Sequence, residues 1–120
     1  MITLLDQKKD AGTTPGVVKP VVDPQDDPKP ERPYAVVLYN DHLNSIEYVI
    51  GILMRVFSYG FFKATRLMWE AHTRGKSIIW SGSKALAEKY AEAVRNCGPD
   101  PVTKVFGAKE LTVRVEQLPE

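Results

Sequence analysis

The stretch from Tyr34 to Tyr48 constrains the fold more than any other part of the chain. It begins with the apolar run YAVVLY, whose central valines favour a β-strand. The strand ends at the polar residues Asn40 to His42, and a helix capped by Asn44 is predicted to follow, with Glu47 three positions further on. Such a corner holds acceptor side chains at fixed positions, where a ligand with N–H groups could be bound.

Length and proline content predict one folded domain after an unfolded segment. The chain has 120 residues, of which 43% are hydrophobic. Six of its nine prolines lie in residues 1–33, and this segment has neither a helical nor an alternating pattern. We therefore predict that residues 1–33 are disordered and that residues 34–120 form the folded domain.

Charge and cysteine content exclude several classes of protein. Sixteen basic residues against fifteen acidic ones give a net charge of +1, which creates no global field to attract nucleic acid or anionic lipid. The single cysteine, Cys97, excludes an internal disulfide and suits a reducing compartment. No apolar run approaches the length of about 18 residues that a membrane span needs. We expect a cytoplasmic protein that binds neither nucleic acid nor membrane.

Apolar residues at steps of three and four predict two helices after the polar turn. The first is expected to end at Gly60, and the second at Gly75 with His72 in its last turn. The predicted core-facing stripe of the first helix consists of Ile46, Val49, Ile50, Leu53, Met54 and Phe57. Both helices should therefore pack one face against a common core.

Two further strands and a third helix complete the predicted domain. Lys76 to Trp80 has the pattern of a strand, and Ser83 is the predicted cap of a helix that ends near Cys97. Apolar and polar side chains then alternate over residues 111–116, as in a strand with one buried face. The order β-α-α-β-α-β predicts an α+β fold in which three helices pack on a small three-stranded antiparallel sheet.

The chain's two histidines lie in the polar turn and at the end of the second helix. If the turn contacts the end of that helix, one polar cluster forms, made of Asn40, Asp41, His42 and His72. Beside it would lie the apolar side chains of Ile46, Val49, Met68 and Ala71. A polar end next to an apolar floor suits a ligand with an ammonium or amide head and a large apolar group.

Catalysis and metal binding are less favoured interpretations of the same residues. Asp41 and His72 could form a dyad beside Ser45, but no known catalytic spacing supports this. Asp41, His42 and His72 could bind zinc, although adjacent residues in a rigid turn seldom both ligate one ion. For His72 alone, a structural role is a further alternative. We predict no catalytic residue, no metal site and no cofactor.

The run Ala-Thr-Arg-Leu-Met-Trp-Glu-Ala-His at residues 64–72, followed by Gly75 and Lys76, resembles the ClpS family of adaptor proteins. The likeness includes the strand end at residues 37–41 and covers about residues 34–117. It implies a non-enzymatic adaptor that binds proteins with bulky hydrophobic or aromatic N-terminal residues, known as N-degrons. Such an adaptor delivers them to a AAA+ unfoldase of the ClpA or ClpC type, coupled to the ClpP peptidase.

The resemblance also implies site residues. In the family, an Asn, an Asp two positions later and the helix-two His hold the ligand's α-ammonium group. The matching positions are Asn40, His42 and His72, so an imidazole stands where a carboxylate is usual. Neutral His42 could still accept a hydrogen bond, and Asp41 could compensate. The implied hydrophobic pocket consists of Ile46, Val49, Met68, Ala71 and, from the last strand, Leu111.

This departure leaves two functional interpretations open. Loss of a charge-assisted hydrogen bond costs about 1.5–3 kcal/mol, so a family fold could persist without α-amino recognition and serve as an interaction module or unfoldase regulator. If the site works, stiff Ile46 and small Ala71 favour flat aromatic N-terminal residues at least as well as Leu.

The unfoldase-facing side is also altered relative to the family. A Glu and a Lys of the third helix contact the unfoldase in the family, and here Ala85 and Tyr90 occupy the matching positions. We expect Glu88, Lys89 and Tyr90 to form this interface, with a solvated helix face as the alternative. The protein is expected to be a monomer, and the unfoldase is expected to engage residues 1–33 during delivery.

Overall fold

The computed structural model describes residues 32–119 of the chain. Their elements follow the order β-α-α-β-α-β, with a short 3-10 turn at Lys104–Phe106 before the last strand. The helices and strands are β1 (Tyr34–Tyr39), α1 (Ile46–Phe57), α2 (Phe61–Arg74), β2 (Lys76–Gly82), α3 (Lys84–Asn96) and β3 (Val113–Gln117). The predicted α+β fold is confirmed. The segment predicted to be disordered, residues 1–33, lies outside the described residues except for its last two.

Strand β1 is the middle strand of the sheet, which has the order β2-β1-β3 with both pairings antiparallel. At its start, Tyr34 lies opposite Gly82 of β2 and Gln117 of β3. The register with β2 shifts between Val36 and Val37. Because β1 has hydrogen-bonded neighbours on both edges, its end is a fixed starting point for the turn that follows.

The core lies between the sheet and the buried faces of the helices. Its largest fully buried side chains are Leu38, Ile52, Leu53, Ile79, Leu111, Val36 and Val94. Met54, predicted on the core stripe, is instead 38% exposed, and Ile52 is buried in its place. Helix α1 contacts both α2 and α3. Its buried face therefore includes Ile52 and leaves Met54 at the edge. Apolar burial of this kind contributes most of the stabilisation of the fold.

Both ends of α1 differ from the prediction. The N-cap is Ser45 and not Asn44, because the Ser45 hydroxyl accepts a hydrogen bond from the N–H of Tyr48 at 3.1 Å. The side chain of Asn44 makes tertiary hydrogen bonds instead. The helix ends at Phe57, and its C-cap, Ser58, lies in the left-handed region with φ 59°. Gly60, predicted to end α1, is the N-cap of α2.

Two other predicted boundaries, at Gly75 and at Ser83, agree with the structure. Gly75 ends α2 with φ 94°, a conformation that glycine adopts without strain. The hydroxyl of Ser83 caps α3 by accepting a hydrogen bond from the N–H of Leu86 at 3.3 Å. Strand β2 continues past Trp80 to Gly82, where the Trp80 ring occupies the space that a Cβ atom would need. Glycine at this position therefore permits the close approach of the ring.

Candidate functional site

The polar turn after β1 lies beside the C-terminal end of α2. The backbone N–H of Asn40 donates to the carbonyl of Gly75 at 2.9 Å. The preceding N–H, of Tyr39, donates to the carbonyl of Thr112 at 2.9 Å. These two hydrogen bonds fix the start of the turn between α2 and the segment that leads into β3. The predicted contact between the turn and the end of the second helix is therefore present.

A pocket opens between the turn, α1, α2 and the segment before β3. Its empty space of about 320 Å³ includes open solvent at the mouth, and its cavity volume is about 30 Å³. The residues with polar side chains in its lining are Tyr39, Asn40, Asp41, Asn44 and His72. The apolar residues in its lining are Leu38, Ile46, Val49, Met68, Ala71 and Leu111. Every residue predicted to bind an α-amino group or to form the hydrophobic pocket lines this one space, with the exception of His42. Leu111 was predicted to lie on the last strand. In the structure it lies two residues before β3 begins.

The two histidines have different positions relative to the pocket. His72, in the last turn of α2, lines the pocket, and its ring meets that of Trp69 edge to face with centroids 5.1 Å apart. His42 has an exposed side chain and is not among the lining residues. The suggestion that His42 accepts a hydrogen bond from an ammonium group stays a prediction, which the pocket geometry does not favour.

The carboxylate of Asp41 organises the turn. Its Oδ1 accepts hydrogen bonds from the N–H groups of Leu43 at 2.7 Å and Asn44 at 3.0 Å. Its Oδ2 accepts from Nδ2 of Asn44 at 2.5 Å. A carboxylate offers about four lone-pair sites, so one further donor can be accommodated. The side-chain oxygen of Asn40 accepts from the N–H of Asp41 at 2.8 Å, which fixes the orientation of the Asn40 amide.

Asn44 and Asp100 join the turn to the loop that follows α3. Both are almost fully buried, with 6% and 4% exposure. Nδ2 of Asn44 donates to the carbonyl of Lys109 at 2.8 Å, and its Oδ1 accepts from the N–H of Asp100 at 2.8 Å. In return, Oδ2 of Asp100 accepts from the N–H of Ser45 at 3.2 Å. Hydrogen bonds to Ser45, and then to the backbone N–H of Val102, hold the pKa of Asp100 below its ordinary value.

No local pattern in the sequence predicts the pairing of Asn44 with Asp100. Buried polar residues in irregular segments produce no periodicity, and Asn44 was assigned to a helix cap instead. The one available signal was an aspartate between two prolines, Pro99 and Pro101, where a rigid loop needs a side chain to satisfy its backbone. That signal indicates a turn but does not identify the partner.

The residues predicted to contact an unfoldase lie on α3. The side chains of Glu88 and Lys89 are exposed. Tyr90 is half-buried, and its ring centroid lies 4.9 Å from that of Trp80 and 4.8 Å from that of Phe57. Glu88 and Lys89 are therefore accessible to a partner, whereas much of Tyr90 is engaged in an aromatic cluster. Their role at an interface stays a prediction.

Residues 32–119 were searched for metal-ligand clusters and for membrane-spanning helices. In this range, no group of three His, Cys, Asp or Glu side chains comes together in a way that could hold a metal ion. Zinc binding by Asp41, His42 and His72 therefore has no support from the geometry. Among the helices of the same range, none is sufficiently long and apolar to cross a membrane.

Comparisons with known proteins agree with this fold. The family model for the ATP-dependent Clp protease adaptor protein ClpS matches residues 29–99. The chain is 32% identical over 71 residues to the ClpS adapter protein of Streptomyces coelicolor, which covers 59% of this chain and 74% of that protein. It is 39% identical over 66 residues to the ClpS adapter protein of Salmonella arizonae, which covers 55% of this chain and 62% of that protein.

A solved structure has the same fold. Agrobacterium tumefaciens ClpS2 bound to L-phenylalaninamide superposes with a TM-score of 0.58 at 26% sequence identity, covering 72% of this chain and 99% of that one. The fold and these matches define an adaptor protein of proteolysis and not an enzyme. The chain belongs to the ClpS family of adaptors of the ATP-dependent Clp protease. The family resemblance and the prediction of a non-enzymatic adaptor are confirmed.

Proposed function

We propose that this protein binds polypeptides through a free α-amino group and a bulky hydrophobic or aromatic N-terminal side chain, and delivers them to a Clp AAA+ unfoldase. One observation carries the proposal: polar side chains of Asn40, Asp41 and His72 share a single pocket with an apolar wall. A site with one polar end and one apolar wall recognises both parts of such an N-terminus.

The polar end suits an ammonium group. An ammonium carries three N–H donors, and its burial is costly unless all three find acceptors. Three acceptors are available, namely the side-chain oxygen of Asn40, the remaining lone-pair site of the Asp41 carboxylate and a ring nitrogen of His72. The negative charge of Asp41 adds a charge-assisted hydrogen bond, which is about twice as strong as a neutral one. In this proposal Asp41 supplies the carboxylate in place of the residue at position 42.

The apolar wall suits one large side chain. It is formed by Ile46, Val49, Met68, Ala71 and Leu111. Full burial of a large apolar side chain contributes about 2–3 kcal/mol. The related Agrobacterium protein is described as bound to L-phenylalaninamide, which combines a free α-amino group with a benzyl side chain. We expect Phe, Tyr and Trp to bind at least as well as Leu, because Ile46 is stiff at χ1 and Ala71 leaves space behind it.

Delivery requires a second surface. Glu88 and Lys89 are exposed on α3, and with the accessible part of Tyr90 they are the proposed contact for the N-terminal domain of a ClpA- or ClpC-type unfoldase. Residues 1–33 are proposed to be engaged by the unfoldase during delivery. Removing them is expected to leave peptide binding intact and to impair degradation of the bound substrate. In this function the protein acts as a cytoplasmic monomer.

The proposal is tested by fluorescence anisotropy with short labelled peptides. The peptides begin with Phe, Trp, Leu or Ser, each with a free or an acetylated N-terminus, and the full chain is titrated at pH 6 and pH 8. We expect binding of the free-amine Phe, Trp and Leu peptides only.

The two histidines provide a matched pair of variants. His72→Ala is expected to weaken binding of the free-amine Phe peptide about tenfold, since it removes one acceptor of a charged group. His42→Ala is expected to leave the affinity unchanged. If His42→Ala weakened binding and His72→Ala did not, the ammonium group would contact His42 and not His72.

Failure of every free-amine peptide to bind would favour the second candidate, a ClpS-fold regulator that occupies the unfoldase without reading N-termini. One observation favours that alternative: three hydrogen bonds within the turn already engage the Asp41 carboxylate.

A further inference from the structure

Asn44 is a buried polar residue that does not cap the helix it precedes. It lines the pocket, and its side chain contacts two other parts of the chain. One is the carboxylate of Asp41 in the turn. The other is the loop between α3 and β3, at Asp100 and at Lys109. We call residues 97–112 the α3–β3 loop. Because a buried amide is costly unless its polar atoms are paired, these contacts are a condition for its burial.

The α3–β3 loop dictates which way the Asn44 amide points. The backbone N–H of Asp100 can only donate, so it requires the amide oxygen, which accepts at 2.8 Å. The backbone carbonyl of Lys109 can only accept, so it requires the amide nitrogen, which donates at 2.8 Å. The reversed amide would place an acceptor opposite the Lys109 carbonyl and a donor opposite the Asp100 N–H. Two backbone groups of the loop therefore fix one of the two possible orientations.

The fixed amide determines how Asp41 is held. An asparagine amide carries two N–H groups, and the one not used by Lys109 donates to Oδ2 of Asp41 at 2.5 Å. Oδ1 of Asp41 accepts from two backbone N–H groups, those of Leu43 and Asn44. Each carboxylate oxygen offers about two lone-pair sites, so the site that remains free belongs to Oδ2. That oxygen is the one which the Asn44 side chain holds.

We infer that Asn44 is a positioning residue, which fixes the free lone pair of Asp41 Oδ2 for the α-amino group of the substrate. This inference rests on the proposed function of the pocket. A carboxylate held at Oδ1 alone would be freer to rotate about its Cβ–Cγ bond, whose torsion is broad. A carboxylate held at both oxygens presents its acceptor before the ligand arrives, which lowers the ordering cost of binding.

The α3–β3 loop thereby acts on binding without forming the polar end of the pocket. Asp100 and Lys109 are not among the lining residues, but their backbone groups set the amide that holds Asp41. The α-amino contact therefore depends on a segment more than 50 positions away from the turn along the chain. A change in that segment is expected to reach the ligand through Asn44.

A double-mutant cycle tests whether Asn44 acts through Asp41. The dissociation constant of a labelled free-amine Phe peptide is measured for the full chain as wild type, Asn44→Ala, Asp41→Asn and the double variant. Asp41→Asn keeps the shape of the side chain, so the remaining affinity can be measured. Ile79→Val is the control, because Ile79 is buried in β2 outside the pocket lining and its truncation destabilises the fold without altering the site. Urea denaturation establishes that each variant is folded under the binding conditions.

Asn44→Ala is expected to weaken binding about five- to tenfold while the Asp41 carboxylate is present. In the Asp41→Asn background the same substitution should weaken binding less than about twofold, because the charged acceptor that Asn44 positions is already gone. A general deformation of the pocket would instead reduce the affinity by the same factor in both backgrounds. Ile79→Val should leave the dissociation constant unchanged.

A second measurement uses the wild type alone and decides the question even if Asn44→Ala does not fold. The side-chain amide resonances of Asn44 are followed by NMR in the ¹⁵N-labelled full chain as the free-amine Phe peptide is added. An ammonium group that occupies the second lone pair of Asp41 Oδ2 changes the hydrogen bond that Asn44 makes to the same oxygen. The N–H that faces Asp41 is therefore expected to shift. The other N–H of the amide, which faces Lys109, is the internal control and should shift less.

Three results would overturn the inference. Equal losses from Asn44→Ala with and without the Asp41 carboxylate would show that Asn44 contacts the peptide itself or shapes the pocket, while the proposed function would stand. An unchanged dissociation constant in Asn44→Ala would show that the backbone N–H groups position Asp41 without help. A titration that saturates without a shift of the Asn44 amide would show that the ammonium group does not use Oδ2. If the wild type did not bind the peptide at all, the proposed function would fail and this inference with it.

Discussion

The turn at residues 40–45 and the α3–β3 loop lie side by side but expose opposite kinds of side chain. The turn presents the polar groups of Asn40 and Asp41 to an open pocket. The loop buries its carboxylate, Asp100, and exposes Val105 and Phe106. The turn lies inside the family match, and most of the loop lies outside it. The difference teaches that two segments joined by the same hydrogen bonds can expose opposite kinds of side chain.

The largest expected effect comes from breaking the connection between the two segments. Asn44→Ala removes the side chain that binds Asp41, Lys109 and the N–H of Asp100. Because buried polar groups are left without partners, we expect the free energy of unfolding to fall by about 2–4 kcal/mol. Urea denaturation measures it. Asn96→Ala, at an exposed position of α3, is the control, and an equally small change in both variants would show that the connection is not structural.

The second largest effect is expected from removing the charge of Asp41 in the turn. Asp41→Asn keeps the shape of the side chain but removes its charge. Under the proposed function, affinity for a free-amine Phe peptide should fall about ten- to a hundredfold, since a charge-assisted hydrogen bond contributes about 1.5–3 kcal/mol. Glu47→Gln, an exposed acidic residue in the first turn of α1, should have little effect. Equal losses in the two variants would indicate a long-range effect of net charge and not a contact.

A third prediction concerns the buried carboxylate of the loop. Hydrogen bonds lower the pKa of Asp100 from its ordinary 3.8, so the folded protein binds a proton here less readily than the unfolded chain. This stabilisation is complete above the ordinary pKa and is lost as the pH falls through the lowered one. The free energy of unfolding of the wild type, measured in urea from about pH 6 to pH 3, should therefore fall more steeply than that of Asp100→Asn. If the two curves were parallel, Asp100 would not contribute to the pH dependence of the free energy of unfolding.

The smallest effect tests the apolar wall behind the turn. Ile46→Met replaces a stiff, β-branched side chain by an adaptable one. The preference for a Phe over a Leu peptide is expected to shift by about threefold in favour of Leu, measured as the ratio of dissociation constants. Met54→Ile, on an exposed position of the same helix, makes the reverse exchange away from the pocket and should leave the ratio unchanged.

Much of the fold could be predicted because its signals are local. Alternating or helical periodicity located the strands and helices, and Gly75 and Ser83 marked the ends of elements where the structure has them. The spacing of His72 from Met68 placed both on one helical face, and the structure has both in the pocket lining. These features depend on residues within a few positions of each other.

The rest depends on contacts between distant parts of the chain. Asn44 and Asp100 are 56 positions apart, so no local pattern pairs them. Whether His42 or Asp41 faces the pocket is decided by hydrogen bonds of the turn, because neighbouring residues in a turn point in different directions. The exposure of Phe106 could not be predicted either, since an apolar residue in a sequence carries no sign of whether anything covers it.

The central position of β1 has a mechanical consequence. The chain ahead of Tyr34 runs directly into this strand, which is hydrogen-bonded to β2 on one edge and to β3 on the other. A force applied to that leading segment is therefore carried by both sets of inter-strand hydrogen bonds at once. A pull on the leading segment would therefore meet resistance at Tyr34, where both ladders begin.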